Sequence, residues 1–188
     1  TENFKDNLKV INNQIKQIEK LVNEFSDFAR MPKPIFRENN LVNIIQENIN
    51  LLKELDISID ISFKKNVNKI LLKSDKEQIS RVFLNLIKNS IESINQKAQN
   101  INNFNKKITI EVSEDDSHIR STIEDNGVGF NELKDNIKNI LNPYFTTKKN
   151  GTGLGLSIVN KIINDHNGKI DFIPIKNGAK INITFLKQ

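Results

Sequence analysis

Asn85 and Asn89 stand four residues apart in the stretch RVFLNLIKNSIES, Arg81 to Ser93. At helical pitch they share one face. Both lie among apolar residues, where a carboxamide is costly unless it is satisfied. A carboxamide oxygen can ligate a hard cation such as Mg2+ beside phosphate oxygens and water. One such asparagine reads more simply as half-exposed helix surface, and two at this spacing weaken that reading. The stretch EDNGVGF, Glu124 to Phe130, directly follows a strand pattern. Asp125 offers a carboxylate at the strand end, able to accept a hydrogen bond from an exocyclic amine such as that of adenine. Gly127 and Gly129 let the backbone turn and admit a flat ligand. A tight Asp-Asn-Gly turn explains the first glycine well and the second poorly.

Pro143, Tyr144 and Phe145 form an apolar anchor before Thr146, Thr147, Lys148 and Lys149. Hydroxyls and positive charge there suit a mobile lid over a polyphosphate. Lys148 is the better charge candidate, although loop lysines are usually only solvated. Gly151, Thr152, Gly153, Leu154, Gly155 and Leu156 follow, and an apolar helical pattern begins at once. This stretch lacks the Gly-Lys-Ser/Thr ending of a P-loop. Leu156 stands where the dinucleotide fingerprint needs its third glycine, and a polar loop precedes where that fingerprint needs a strand. A Gly-rich stretch entering a helix is still a good anion site, because the backbone can come close and free N–H groups face the ligand. A flexible loop that caps a helix explains it about as well.

The elements that must position these residues are legible from periodicity. Phe4, Leu8, Ile11, Ile15, Ile18, Val22 and Phe25 alternate by four and three, and Ala29 continues the series. That is a heptad seam on a helix from about Thr1 to Arg30, roughly 45 Å long. Such a helix should pair with another helix or chain. Pro32 and Pro34 break it and hold an extended segment, so a domain boundary is expected there, dividing 1–34 from 35–188. A helix follows with Asn39 or Asn40 as N-cap. A strand is predicted from Ile57 to Phe63, and KILL is a second short one. Ser74 with Glu77 reads as a capping box for the helix that carries both asparagines. ITIEVSE and HIRSTIED read as a hairpin pair. A short helix and a polar loop lead to the glycine stretch and a helix to about Asp165. KIDFIPI and AKINITFL close the chain around a turn at Asn177-Gly178. Strands segregated from helices suggest an α+β sandwich, one mixed sheet covered by helices.

The chain has 188 residues, 37% hydrophobic, with a net charge of +5. That is enough for one ordinary domain plus an extension. The charge favours anionic partners in general. It does not single out nucleic acid, since there is no dense Lys/Arg block, aromatic stripe or zinc-finger spacing. With no cysteine, disulfides and thiolate metal sites are excluded, and a reducing cytoplasm is suited. No apolar run approaches the roughly 20 residues of a membrane span. The sequence opens at Thr1 inside a helical pattern, so a piece of a longer protein is expected.

Taken in order, Asn85/Asn89, Asp125-x-Gly127-x-Gly129, Pro143-Tyr144-Phe145-Thr146-Thr147-Lys148 and Gly151-x-Gly153-x-Gly155 resemble the N, G1, F and G2 boxes of sensor histidine kinases. Those kinases belong to the gyrase, Hsp90, histidine kinase and MutL ATPase superfamily. EFSDFARMPKP, Glu24 to Pro34, resembles the helix end and linker of the nitrogen-regulation (NtrY/NtrB-like) type. Each box alone is weak, while four in order with the linker are specific. The resemblance implies a Bergerat-type ATP-binding sandwich over 35–188, with helices on one face of the mixed sheet. It implies that Asp125 holds the adenine amine, that Asn89 ligates Mg2+ and that Asn85 lines the phosphate region. The lid and the glycine loop, Phe145 to Leu156, would wrap the phosphates. Asn85 stands where the superfamily's hydrolases carry a water-activating Glu, so little ATP hydrolysis is expected. Glu92 follows Asn89 by three residues and could reach the same site, although a solvent-facing position is the simpler expectation.

The pattern also departs. A histidine kinase needs a phosphoacceptor histidine on the first helix of its dimerisation hairpin. This chain has only His118 and His166, neither in a context such as His-Glu-x-x-x-Pro. The helix before Pro32 resembles the second dimerisation helix, with the first missing. The chain is therefore expected to bind ATP without autophosphorylating. The parent would be a homodimer that passes the phosphoryl group to the receiver domain of a response regulator. It would touch the membrane only through missing parts, this portion being cytoplasmic. The rival readings are a nucleotide-sensing pseudokinase, a serine/threonine-directed relative like the anti-sigma kinases, and a purely structural dimerising role. The heptad helix and linker speak against the serine/threonine relative.

Overall fold

The computed structural model describes every residue except 1, 55, 131–136, 147, 149, 150 and 188, with the side chains of 2, 3, 20, 27 and 138 also left aside. The element order is α1 (Glu2–Ala29), β1 (Arg37–Asn40), α2 (Leu41–Lys53), β2 (Asp60–Lys65), β3 (Leu71–Ser74), α3 (Lys76–Ala98), β4 (Lys107–Glu114), β5 (His118–Asp125), α4 (Gly155–Asp165), β6 (Lys169–Ile175) and β7 (Gly178–Leu186). A 3-10 turn spans Ile137–Leu141.

Five strands make one mixed sheet in the order β2-β4-β5-β7-β6. Only β2 and β4 pair in parallel. A parallel pair needs a long crossover, and α3 lies within that connection. Alternate residues face the helices: Ile108, Ile110 and Val112 on β4, Ile119 and Ile123 on β5, and Ile181, Ile183 and Phe185 on β7. That is the two-residue period of a sheet covered on one side. Helix α3 packs over β4 and β5, α2 lies against β2, and α4 lies against β6. On α3, Ile79, Val82, Phe83, Leu86, Ile87 and Ile94 are wholly buried, each contributing about 1.5–3 kcal/mol of apolar burial. The expected α+β sandwich is the observed architecture.

Local details differ from the sequence expectations. Asn40 is the N-cap of α2, accepting from the Val42 amide at 3.2 Å. The N-cap of α3 is Asp75, which accepts from the Gln78 amide at 3.1 Å. Ser74 instead ends β3, and its hydroxyl bonds the Leu72 carbonyl. The cap is thus displaced by one residue and no reciprocal box forms: the Asp75 amide donates to His166 Nε2, and the Gln78 side chain bonds the Pro32 carbonyl instead. Ile57 lies outside β2 and is 92% exposed. The strand starts only at Asp60, after an Asp56–Ser58 turn in which Asp56 accepts from both the Ser58 amide and hydroxyl. β3 does not join the main sheet; it pairs antiparallel with β1, a strand not anticipated. Gly178 opens β7 opposite Ile175, so the hairpin loop is Lys176-Asn177.

Helix α1 carries its seam largely in the open: Phe4, Leu8, Ile11, Ile15, Ile18, Val22 and Phe25 are all exposed. Beyond them Phe28 and Met31 pack against the core. The segment after α1 is tied to α3. The Pro32 carbonyl accepts from the Gln78 side chain at 3.0 Å, and Asp75 accepts from the Ile35 amide at 2.9 Å. Among the described residues no helix is long and apolar enough to cross a membrane.

Candidate functional site

One face of α3 builds most of the site. Asn85, Asn89, Ser93 and Lys97 recur every four residues and so form a stripe along the helix. The first three line the cavity, and Lys97 holds the loop behind it. The Asn85 amide donates back to the Arg81 carbonyl at 2.8 Å. Its oxygen borders the glycine loop, 3.2 Å from where a Cβ on Gly155 would stand. The Asn89 oxygen accepts from Lys148 Nζ at 3.0 Å. The Ser93 hydroxyl accepts from the Val128 amide at 3.0 Å. Lys97 Nζ donates to the Asn126 and Gly127 carbonyls at 2.8 and 2.9 Å and lies over the Phe104 ring. The loop after β5 is thus fastened to α3 at three points.

Gly127 is required by that fastening. A Cβ there would stand 2.7 Å from the Ser93 carbonyl carbon and 2.8 Å from the Ile94 nitrogen, so only glycine lets loop and helix backbone meet. Asp125, at the end of β5, is 5% exposed. Its carboxylate accepts from the Gly127 amide at 2.9 Å. Burial pushes the carboxyl above its ordinary pKa, opposed by the Gly127 amide, the Ser90 hydroxyl, the Ala179 amide and the charge of Lys97.

The far wall is the segment from Phe145 to Leu156. The Tyr144 amide donates to the Gly153 carbonyl at 3.1 Å, and Gly153 has φ +70°, a region open chiefly to glycine. Thr146 Oγ1 accepts from the Lys148 amide, and the Lys148 carbonyl accepts from the Gly151 amide, both at 3.1 Å. Thr147 and Lys149 lie outside the described residues. The Thr152 hydroxyl bonds Glu24 of α1. Leu154 is the N-cap of α4 and supplies no side-chain cap. The first-turn amides of Gly155 and Leu156 therefore remain for an anion.

These pieces enclose a cavity of about 270 Å3. Asp125, Asn85, Asn89, Lys148 and the glycines line it, as do the apolar Val128, Phe130, Phe145 and Phe172. Phe130 and Phe172 meet edge to face at 5.7 Å. A carboxylate at one end, apolar rings between, and amides with an ammonium at the other suit an aromatic amine joined to phosphates. The fit to a hard cation rests on Asn89 and Glu92, whose oxygens already hold the Lys148 ammonium. Among the described residues no group of three His, Asp or Glu could hold a metal ion, so a cation at Asn89 and Glu92 would complete its shell with water or phosphate oxygens.

Among the described candidate site residues, all but Gly127 and Leu154 line the cavity; Gly127 packs on α3 and Leu154 is buried at the start of α4. The structure also shows what was missed. Ser90, Ser93 and Lys97 act on the Asp125 loop, and continuing the four-residue step past Asn89 would have found the last two. Glu92 does not simply face solvent but bonds Lys148. His166 is no reactive group. It is 8% exposed, its Nε2 accepts from the Asp75 amide at 3.0 Å and its Nδ1 lies 2.8 Å from the Ile162 carbonyl. Those partners require the neutral ring with its proton on Nδ1.

The model of the histidine kinase-, DNA gyrase B- and HSP90-like ATPase family matches residues 74–188. A protein of Rickettsia bellii named as an NtrY-like sensor histidine kinase is 34% identical over 184 residues, 97% of this chain and 29% of that relative. The chain therefore spans under a third of that relative's length. The nucleotide-free catalytic domain of the histidine kinase ThkA superposes with a TM-score of 0.69 at 33% identity, covering 81% of this chain and 96% of that one. ThkA in complex with the response regulator protein TrrA superposes with a TM-score of 0.75 at 29% identity, covering 95% and 50%. With its cavity built on α3 and the β5 and α4 loops, the chain belongs to the histidine kinase-, DNA gyrase B- and HSP90-like ATPase family, with the fold of a histidine kinase catalytic domain.

Proposed function

We propose that the cavity takes ATP with its adenine amine on Asp125 and its phosphates between Asn85, Asn89, Lys148 and the amides of Gly151 to Leu156. The observation that carries this reading is the buried Asp125 carboxylate facing an apolar slot that ends at uncapped helix amides. Phe145, Thr146, Thr147 and Thr152 belong to the lid that closes over the triphosphate, and Gly127 and Gly129 admit the base. Asn89 holds Mg2+, whose chemistry is to neutralise charge on the phosphate oxygens. The residues contribute positioning and electrostatics, which phosphoryl transfer mainly needs. No side chain in the stripe is a base placed to activate water, since Asn85 and Asn89 are both carboxamides, so hydrolysis is slow.

In the whole kinase the γ-phosphoryl group passes to a histidine on a dimerisation hairpin and then to a response-regulator aspartate. His166 is enclosed, with its Nε2 lone pair taken by the Asp75 amide, and so is not placed to serve as that acceptor. Residues 1–34 act as one hairpin helix with its linker, and 35–188 as the catalytic domain. The exposed seam of α1 supports pairing into a homodimer. This part works in the cytoplasm, and a membrane anchor belongs to other parts of the kinase.

Calorimetric titration with a non-hydrolysable ATP analogue, with and without Mg2+, tests the reading. Asp125→Ala should abolish binding, and Asn89→Ala should remove the gain that Mg2+ brings. A folded chain that ignores millimolar nucleotide would sink it.

A further inference from the structure

We infer that Lys148 and the cation of the nucleotide are alternative occupants of one position, and that Glu92 together with Asn89 makes that position. The inference rests on the ATP reading above and deepens it. Lys148 Nζ stands 3.0 Å from the Asn89 oxygen and is ion-paired to Glu92 Oε2. Asn89 and Glu92 are three residues apart on α3 and project to the same side. Both line the cavity.

A surface ion pair of this exposure, 37% for Lys148 and 43% for Glu92, would ordinarily carry little meaning. Here the ammonium is shared with a neutral carboxamide oxygen. One carboxylate oxygen and one amide oxygen converging on a point charge form a hard-cation donor set. The lysine supplies the positive charge that this set calls for while no divalent ion is present. Its backbone is held in place as well, since Thr146 and Gly151 bond the Lys148 amide and carbonyl. Releasing the ammonium therefore frees the lid loop at the moment when phosphates need a positive side chain. Glu92 keeps its charge in the site after the exchange, so it strengthens the cation requirement. Lys148 moves from carboxylate to phosphate, and the site is never left with an uncompensated glutamate.

The exchange makes opposite predictions for cation and nucleotide at one residue. Mn2+ alone, followed by water-proton relaxation without nucleotide, should bind Lys148→Met roughly tenfold more tightly than the native chain, given a divalent charge next to a freed carboxylate. Adding Glu92→Gln to Lys148→Met should abolish that gain. Lys148→Met should meanwhile weaken ADP in EDTA, where no divalent ion competes. Glu92→Gln alone should lower the ratio of analogue affinities with and without Mg2+, because it removes a cation ligand and also frees Lys148 for the phosphates in EDTA. Equal Mn2+ binding by the native chain and Lys148→Met overturns the inference. So does a Glu92→Gln chain whose Mg2+ dependence matches the native one. The Mn2+ comparison needs no nucleotide, so failure of ADP with Mg2+ to bind the native chain counts against the ATP reading separately. Glu92→Ala, read in the same way, guards against an effect peculiar to glutamine, and far-UV circular dichroism confirms folding of each variant.

Discussion

Lys97→Met is the substitution that separates the fastening of the Asp125 loop from the rest of the fold. Methionine keeps most of the apolar stem, so packing along α3 is nearly retained. What it removes is the ammonium and its two bonds, 2.8 and 2.9 Å long, to the Asn126 and Gly127 carbonyls. Hydrogen bonds to charged groups contribute about 1.5–3 kcal/mol each when well enclosed. Lys97 is only half-buried, so the pair is better taken as about 2 kcal/mol together, with the Phe104 contact adding ~0.5 kcal/mol. With a urea m-value of about 2 kcal/mol/M, the unfolding midpoint should fall by roughly 1 M at unchanged slope. A second effect follows from charge. Lys97 is among the groups that hold the Asp125 carboxyl down against its burial. Without it, Asp125 takes up its proton at higher pH, and the acid limb of nucleotide affinity should move upward with it. A midpoint within ~0.2 M of native, or an unmoved acid limb, would refute the reasoning that one lysine both ties the loop and tunes the carboxylate.

Two further outcomes follow from local geometry. Asp56 is held at about 2, first by the Ser58 hydroxyl, against the opposing effect of burial and with help from Asn95, the Ser58 amide and Lys106. A depressed carboxyl stabilises the fold above its unfolded value near 4 and loses that contribution as pH falls toward 2, so Asp56→Asn should destabilise at pH 7 and match the native chain at pH 2 in urea titrations. Gly153→Ala would set a Cβ 2.7 Å from Tyr144 Cα at φ +70°; strain of about 1–2 kcal/mol should displace the lid and cost roughly tenfold in analogue affinity by calorimetry, with little change in circular dichroism.

The candidate site was legible where chemistry and period coincide. Asn85 and Asn89 stood out because carboxamides interrupt an apolar helix pattern. Gly127, Gly129 and the Gly151–Gly155 series stood out because they have no Cβ where backbones meet. Lys97 was opaque, and Glu92 only half legible, for the converse reason. Charged residues on an amphipathic helix are expected toward water, and only the folded loops show that they find partners. Among the elements, the alternating strands were readable through their buried faces. The pairing of β1 with β3 was not, since four-residue strands carry too little pattern to reveal their neighbour. The displaced cap at Asp75 has a similar origin: Ser74 and Asp75 are both good caps by type, and the choice depends on Ile35 and His166 reaching in from distant segments.

Asp125 shows where stability and recognition part. Its folded carboxyl lies above the ordinary value, so the contribution to stability is present below the unfolded pKa and is lost as pH rises through the folded one. At neutral pH the charged form is therefore a burden on the fold. The surrounding structure reduces the burden without removing it: Gly127, Ser90 and Ala179 offer hydrogen bonds and Lys97 offers charge. Such an arrangement makes little sense as core packing, since an apolar side chain between β5 and α3 would avoid the penalty. It makes sense as an acceptor kept dry for a donor that arrives with a ligand. The adenine amine would complete what the protein leaves unfinished, and part of the binding energy would come from relieving a carboxylate that the fold alone holds at a cost.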